Sequence, residues 1–113
     1  MAKALAQAGQ FEQALEVARQ IKHARRRSEA FRAVALALAQ AGQPEQALAA
    51  AERIEDAYGR SEAYGAVALA LAQAGQIEQA QEAFQQALAA AERIEYDYWR
   101  SEAYGAVDRK SVV

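Results

Sequence analysis

Apolar residues recur every three or four positions along most of the chain. Phe31, Val34, Ala35 and Leu38 follow this spacing, and an equivalent set at 64, 67, 68 and 71 repeats it further along the chain. In an α-helix, residues three and four apart lie on one face, so each set predicts a helix with one apolar stripe. Similar stripes before and after these two sets predict an all-α fold.

Glycine and proline mark the ends of the predicted helices. Gly42, like the equivalent glycine after the next stripe, follows the last residue of a stripe, where a helix C-terminus favours a left-handed backbone. Pro44 suits the first turn of the next helix, where its missing N–H breaks no hydrogen bond. Gly59, followed by Ser61 and Glu62, indicates another break and helix start. The predicted helices cover residues 2–8, 11–24, 28–41, 44–57, 61–74, 77–97 and 101–107.

Two short strings repeat along the chain. LAQAGQ begins at Leu5, Leu38 and Leu71, so the same interval of thirty-three positions separates successive copies, and we call it the repeat period. RSEA begins at residues 27, 60 and 100, so its second interval is longer than its first. A period in this range is typical of stacked helical repeats. We interpret the chain as a single repeat domain over residues 1–113, with units at 1–27, 28–60 and 61–100, a partial unit at 101–107 and a tail at 108–113.

The third unit contains seven additional residues. The string ALAAAERIE recurs at 47–55 and 87–95, which places the insertion at 81–87. Seven residues are close to two helical turns, so they lengthen a helix by about 10 Å and rotate its apolar face by only about 20°. The stripe that includes Ile77, Phe84 and Leu88 therefore predicts a longer hairpin that packs on its neighbour. The alternative is an overhanging end that docks a second chain.

Eight positions of the third unit match the pattern of a known repeat family. These positions are Tyr64, Val67, Ala68, Leu71, Gly75, Ala80, Phe84 and Ala87. On them the unit resembles a tetratricopeptide repeat (TPR), although the middle unit has Ala51 and Ile54 at the last two positions and the family's late proline is absent. The resemblance implies a right-handed α-solenoid of antiparallel helix hairpins, about three units with truncated ends. Copies this alike also resemble bacterial tandem arrays and engineered consensus repeats.

In TPR proteins the first helices of the pairs line a concave surface that binds peptides. The resemblance places seven polar or apolar candidates there: Glu29, Arg32, Leu36, Gln40, Glu62, Leu69 and Gln73. Some TPR proteins hold the carboxylates of a peptide C-terminus with Lys, Asn and Arg on this surface, and here only Arg32 has that chemistry. We therefore expect no carboxylate clamp. A small, weakly apolar lining suits a helix or an extended peptide.

Composition limits the class of function. The chain has no cysteine and one histidine, His23, so disulfides and thiolate metal sites are excluded and no metal or cofactor is expected. There is no apolar run that could cross a bilayer and no signal-peptide pattern, which favours a cytoplasmic protein without a membrane partner. We find no Ser/His/Asp grouping, no paired carboxylates and no phosphate-binding glycine loop, so we do not expect an enzyme.

Charge is unevenly distributed along the chain. The net charge is −2, with seven basic and three acidic residues in the first 33 positions and six against twelve in the rest. The strongest local cluster, which we call the basic turn, is KHARRR with Lys22, Arg25, Arg26 and Arg27. The equivalent strings EDAYGR and EYDYWR are acidic or aromatic. Three interpretations stay open: a solvated turn, docking onto an acidic turn of another chain, and weak nucleic-acid binding.

The densest aromatic group lies near the end of the chain. It consists of Tyr96, Tyr98, Trp99 and Tyr104, and Tyr and Trp are favoured as interface anchors. One interpretation is that these residues close the last hairpin, and the other is that they contact a partner. RSEAYGAV at 100–107 is the part that the first unit lacks, so the ends of two molecules are expected to pair, unless the chain is an excerpt of a longer array.

Together these features predict a noncatalytic protein–protein interaction or scaffold module. Its expected partner is a protein or peptide, with self-association through the chain ends or the lengthened third hairpin. The alternative is a structural or engineered self-assembling repeat without a natural ligand. A weak nucleic-acid binder acting through residues 22–27 is a distant third, because one short basic cluster in an acidic chain is a weak footprint.

Overall fold

The computed structural model describes the backbone of residues 1–105 and the side chains of residues 1–94. The described backbone forms no strand, and its helices are α1 (Ala2–Gln7), α2 (Phe11–Gln20), α3 (Ala24–Gln40), α4 (Pro44–Glu52), α5 (Ala57–Gln73) and α6 (Ile77–Gly105). The all-α prediction is confirmed. The first residues of α3 and α5 are one repeat period apart, and so are their last residues, so the sequence period is also the structural period.

Each LAQAGQ string ends a helix with the same turn. Its glycine has a positive φ in all three copies: 83° at Gly9, 79° at Gly42 and 80° at Gly75. In the middle copy the N–H of Gln43 donates to the carbonyl of Leu38 at 2.9 Å, and the N–H of Gly42 donates to Ala39 at 3.1 Å. This pair of bonds is the Schellman motif, which satisfies carbonyls that a helix end leaves without partners. The predicted glycine caps are confirmed.

The helices pack in consecutive pairs around an alanine-rich core. α1 contacts α2, α3 contacts α4, and α5 contacts α6, while α3 also contacts α1, α2 and α5, and α4 contacts α5. Most buried side chains are alanine, and the large ones with almost no exposure are Val34, Leu38, Ile54, Val67 and Leu71. Because alanine is short, helix axes can approach closely around these few large residues.

The break between α4 and α5 lies earlier than the sequence predicted. α4 ends at Glu52 and α5 begins at Ala57, so Gly59 and Ser61 lie inside a helix. Asp56 is the N-cap residue, and its carboxylate accepts the N–H of Gly59 at 2.7 Å. A Cβ atom at position 59 would lie 2.9 Å from side-chain atoms of both Asp56 and Ile54. A side chain at this position would therefore crowd the Asp56 cap and Ile54.

Helix α3 also begins four residues before the predicted start at residue 28. Its N-cap is His23, whose Nδ1 accepts the N–H of Arg26 at 3.4 Å. Arg26 occupies the position that Gly59 has in the next unit. The same break thus forms with a different cap residue and a longer hydrogen bond.

In the first two copies of the RSEA string, the arginine ties the start of a helix to the end of the preceding helix. Arg27 donates to the carbonyls of Ile21 at 2.9 Å and Lys22 at 3.3 Å. Arg60, at the equivalent position of the next unit, makes the same pair of bonds at 3.0 and 2.8 Å. Arg27 also forms an ion pair with Glu55. The recurrence of this arginine in the sequence therefore reflects a structural task, since these carbonyls have no intrahelical partner.

The third break, which the sequence predicted between residues 97 and 101, is absent. α6 continues without interruption from Ile77 to Gly105. After an identical ERIE string, Tyr96 stands at the position of Asp56, and Trp99 stands at the position of Gly59. Tyrosine is not a capping residue, and the cap leaves no room for a tryptophan side chain. Both features that allow α5 to start after the first ERIE string are therefore missing after the second.

Candidate protein-binding surfaces

Two concave surfaces stand out on the residues that the structure describes. The first, which we call the α3–α5 cavity, has a volume of about 870 Å³ and lies between α3 and the start of α5, with Lys3 of α1 at its edge. The second, which we call the end groove, has a volume of about 710 Å³ and lies along α5 and α6. Both volumes are in the range of ligand and peptide sites.

The α3–α5 cavity gathers most of the residues predicted for the concave face. Four of the seven candidates line it: Glu29, Arg32, Leu36 and Glu62. Leu69 lines the end groove instead. Gln40 and Gln73 are exposed at the last positions of α3 and α5 and line neither surface.

Opposite charges surround the α3–α5 cavity, and several of them are already paired. Nε of Arg25 lies 3.7 Å from a carboxylate oxygen of Glu29 on the same helix, and both side chains are largely exposed. Glu55 pairs with Arg27, and Asp56 caps α5. Lys3, Arg32 and Glu62 form no ion pair within the described side chains. They are the charged cavity residues left to meet a partner.

Tyr58 is a cavity residue that the sequence did not bring to notice. Its ring lines the α3–α5 cavity, and the side chain is 62% exposed. The signal was present in the repeat, because Tyr58 has the same position in its unit as Tyr98, which stood out only through its aromatic neighbours. A solvent-exposed aromatic beside unpaired charges is the typical composition of an interface anchor.

Some residues of the basic turn have partners within the protein and others do not. Arg27 donates to a backbone carbonyl, His23 caps α3, and Arg25 has a carboxylate partner in its own helix. Lys22 and Arg26 are exposed and have no ion pair among the described side chains. Two of the four cations in this cluster are therefore already engaged, and the remaining two lie outside the α3–α5 cavity.

The end groove is apolar and open. Its walls include Leu69 on α5 and Ile77 and Phe84 on α6, with exposed fractions of 61%, 54% and 57%. Leu88, one turn further along α6, is also half exposed. The sequence predicted that the α6 stripe packs on its neighbour. This prediction is wrong for Ile77, Phe84 and Leu88, because only Ala80 and Ala87 of the stripe are buried, together with Ala83 and Ala90 beside it.

Tyr64 on α5 is a large residue that neighbouring helices cover. Its side chain is buried in the hydrophobic core of the protein. Burial raises the pKa of Tyr64 above its ordinary value of 10.0, the negative charge of Glu52 on α4 raises it further, and Arg60 opposes the shift.

The aromatic group at Tyr96, Tyr98, Trp99 and Tyr104 has side chains outside the described residues. Within the described side chains, no three His, Asp or Glu residues are grouped so that they could hold a metal ion. No helix in the described part of the chain combines the length and apolar character needed to cross a membrane.

Comparisons with protein-family models, with curated protein sequences and with solved structures returned no match.

Proposed function

We propose that this chain is a noncatalytic protein-interaction module that binds a peptide or a helix in the α3–α5 cavity. In this proposal its hairpins stack as a right-handed α-solenoid of the TPR type. The recurrence of α3 and α5 at the repeat period, and the contacts of α3 with both α1 and α5, support such stacking. In a stack of this kind, the first helices of successive pairs form a continuous surface.

The observation that carries the proposal is the convergence of residues from different repeats on one cavity. α3 contributes Arg32 and Leu36, and α5 contributes Tyr58 and Glu62. An exposed aromatic ring, an aliphatic wall and two unpaired opposite charges are the components that peptide-binding surfaces combine. These side chains belong to regular helices, so their positions are held by the packing of the core.

The cavity chemistry indicates the kind of peptide that fits. Arg32 favours an acidic side chain, Glu62 favours a basic one, and the ring of Tyr58 together with Leu36 favours an apolar side chain between them. A short helix with alternating charge on either side of an apolar residue meets all three requirements.

A peptide library displayed on a solid support, probed with the full chain, tests this proposal. Peptides that bind are then measured by fluorescence anisotropy. We expect Tyr58→Ala to weaken binding about tenfold, which corresponds to about 1.4 kcal/mol. Arg32→Glu should select against acidic peptides and, combined with a charge-reversed peptide, restore binding.

The matched control is Arg19→Ala, which removes an exposed cation on α2 that pairs only with Glu16 and lies outside the cavity. It should leave peptide affinity unchanged. Equal loss of binding in the control and the cavity variants, or a library without any peptide that responds to Tyr58→Ala, would contradict the proposal.

A further inference from the structure

The groove of the middle hairpin is covered by a helix, and the groove of the last hairpin is open. Position 51 on α4 is an alanine with 0% exposure, and its counterpart one repeat period later, on α6, is Phe84 at 57%. Ala39 on α3 is also fully buried, whereas its counterpart Ala72 on α5 is exposed. The middle groove is covered by α5, and the last is the end groove.

The chain contains a second copy of the segment that covers the middle groove. The N-terminal half of α5 includes RSEAYGAV at 60–67, in which Tyr64 and Val67 are buried at 5% and 0% exposure. The same eight residues recur at 100–107. In the sequence, Tyr104 and Val107 therefore correspond to Tyr64 and Val67 of α5.

Helix α6 carries this second copy away from its own groove. Because α6 has no break up to Gly105, Arg100 lies 16 positions beyond Phe84 on the same helix. At 1.5 Å per residue this separation is about 24 Å along the helix axis. A helix cannot fold back on itself, so the segment is unable to cover the end groove of the molecule to which it belongs.

We propose that two copies of this chain exchange these segments, so that residues 100–107 of each copy fill the end groove of the other. Tyr104 and Val107 of one copy then take the places that Tyr64 and Val67 occupy on the middle groove, against Leu69, Phe84 and Leu88 of the other. The exchange is reciprocal and closes as a dimer, and it buries two apolar surfaces that a single copy leaves in water. It does not depend on the α3–α5 cavity.

The first test is the mass of the full chain in solution, measured by sedimentation equilibrium over a concentration series. The expected result is a dimer. Phe84→Glu on the groove, or Tyr104→Glu on the segment, should each weaken the dimer at least tenfold, because each places a charge in the apolar contact. Circular dichroism checks that both variants stay helical, which we expect because Phe84 is more than half exposed.

The matched control is Tyr58→Glu. Tyr58 is an aromatic residue of similar exposure, but it lines the α3–α5 cavity and not the end groove. It should remove peptide binding and leave the dimer unchanged, which separates the failure of one proposal from the failure of the other.

Mixing the two interface variants gives a sharper test. A heterodimer of the Phe84→Glu and Tyr104→Glu chains has one intact contact, formed by the unchanged segment of the first in the unchanged groove of the second. The mixture should form a dimer at concentrations at which neither variant alone does. A monomeric wild-type chain at millimolar concentration, a mass that grows without limit, or a mixture that stays monomeric would each overturn reciprocal exchange.

Discussion

The ERIE string occurs at 52–55 and at 92–95, and the two copies have opposite outcomes. At the first copy α4 ends at Glu52, and Asp56 caps the next helix beside a glycine that leaves room for it. After the second copy the helix continues, with Tyr96 and Trp99 at those two positions. Two side chains thus decide whether the chain turns back to cover a groove or extends away from it.

The consequence reaches well beyond the turn. Where the chain turns, α5 covers the groove of α3 and α4, and the residues beneath it are buried. Where it does not, an equivalent groove stays open with large apolar residues on its walls. The middle hairpin is therefore an internal part of the stack, and the last hairpin is a surface that can receive another molecule.

The largest expected effect comes from removing the middle break. Replacing Asp56 with Tyr and Gly59 with Trp deletes the cap and places a large ring where even a Cβ atom has no space. We expect the free energy of unfolding to fall by about 3 kcal/mol or more, from the lost cap and the steric conflict together. Urea denaturation measures the loss. Asp56→Asn, which can still cap the helix, should cost far less, and equal losses would contradict this account.

A smaller effect is expected from the arginine that joins helix start and helix end. Arg60→Met removes two hydrogen bonds to carbonyls at the end of α4, at a cost of about 2 kcal/mol. Arg19→Met is the matched control, because Arg19 is an exposed arginine that pairs with Glu16 on its own helix and bonds to no interhelical carbonyl among the described residues. Chemical denaturation of both variants checks the difference. An equal loss of unfolding free energy in both variants would show that the two hydrogen bonds of Arg60 do not account for its effect.

Restoring the missing break should change the mass of the protein. In a chain with Tyr96→Asp and Trp99→Gly, the cap and the space of the middle unit are recreated in the last unit. We expect the helix to stop near residue 96, the segment that follows to fold back over part of its own groove, and the dimer to weaken at least tenfold, about 1.4 kcal/mol. Sedimentation reports the mass, and NMR chemical shifts report the break. A new break with an undiminished dimer would contradict the link between them.

The smallest effect concerns alkaline pH. The pKa of Tyr64 is raised in the folded protein, so the neutral phenol is favoured there and the unfolded chain loses its proton first as pH rises. The stability that Tyr64 contributes is full below pH 10 and is lost as pH rises from 10 through the folded pKa. Tyr64→Phe should therefore be less sensitive to pH in this window, as measured by urea midpoints at pH 8 and pH 10.5. Identical pH profiles for the two proteins would exclude this contribution.

Much of the helix pattern could be predicted from local sequence, because its causes are local. The glycine turns after Leu38 and Leu71 follow from residues within six positions of each other, and they have the expected positive φ. The predicted starts of α3 and α5 lie four residues too late. Ser61 is a residue type that favours the N-cap position, but Asp56 is the residue that caps α5 in the structure. Local composition does not distinguish between two acceptors so close together.

The candidate surfaces were harder to predict. The repeat pattern correctly predicted that Arg32, Leu36 and Glu62 lie on a common surface, because they occupy one face of regular helices. Tyr58 was missed because the predicted break placed it in a turn. The exposure of Phe84 was missed because an apolar stripe indicates burial only when something lies against it.

An all-helical chain with a fixed repeat period and glycine turns could be predicted from the sequence alone, because each depends on spacing along one helix or one turn. That Arg27 bonds to the protein's own carbonyls and that the end groove is open became clear only from the packing of the helices. These two properties depend on which helix lies against which, and an apolar stripe is buried only where another helix covers it.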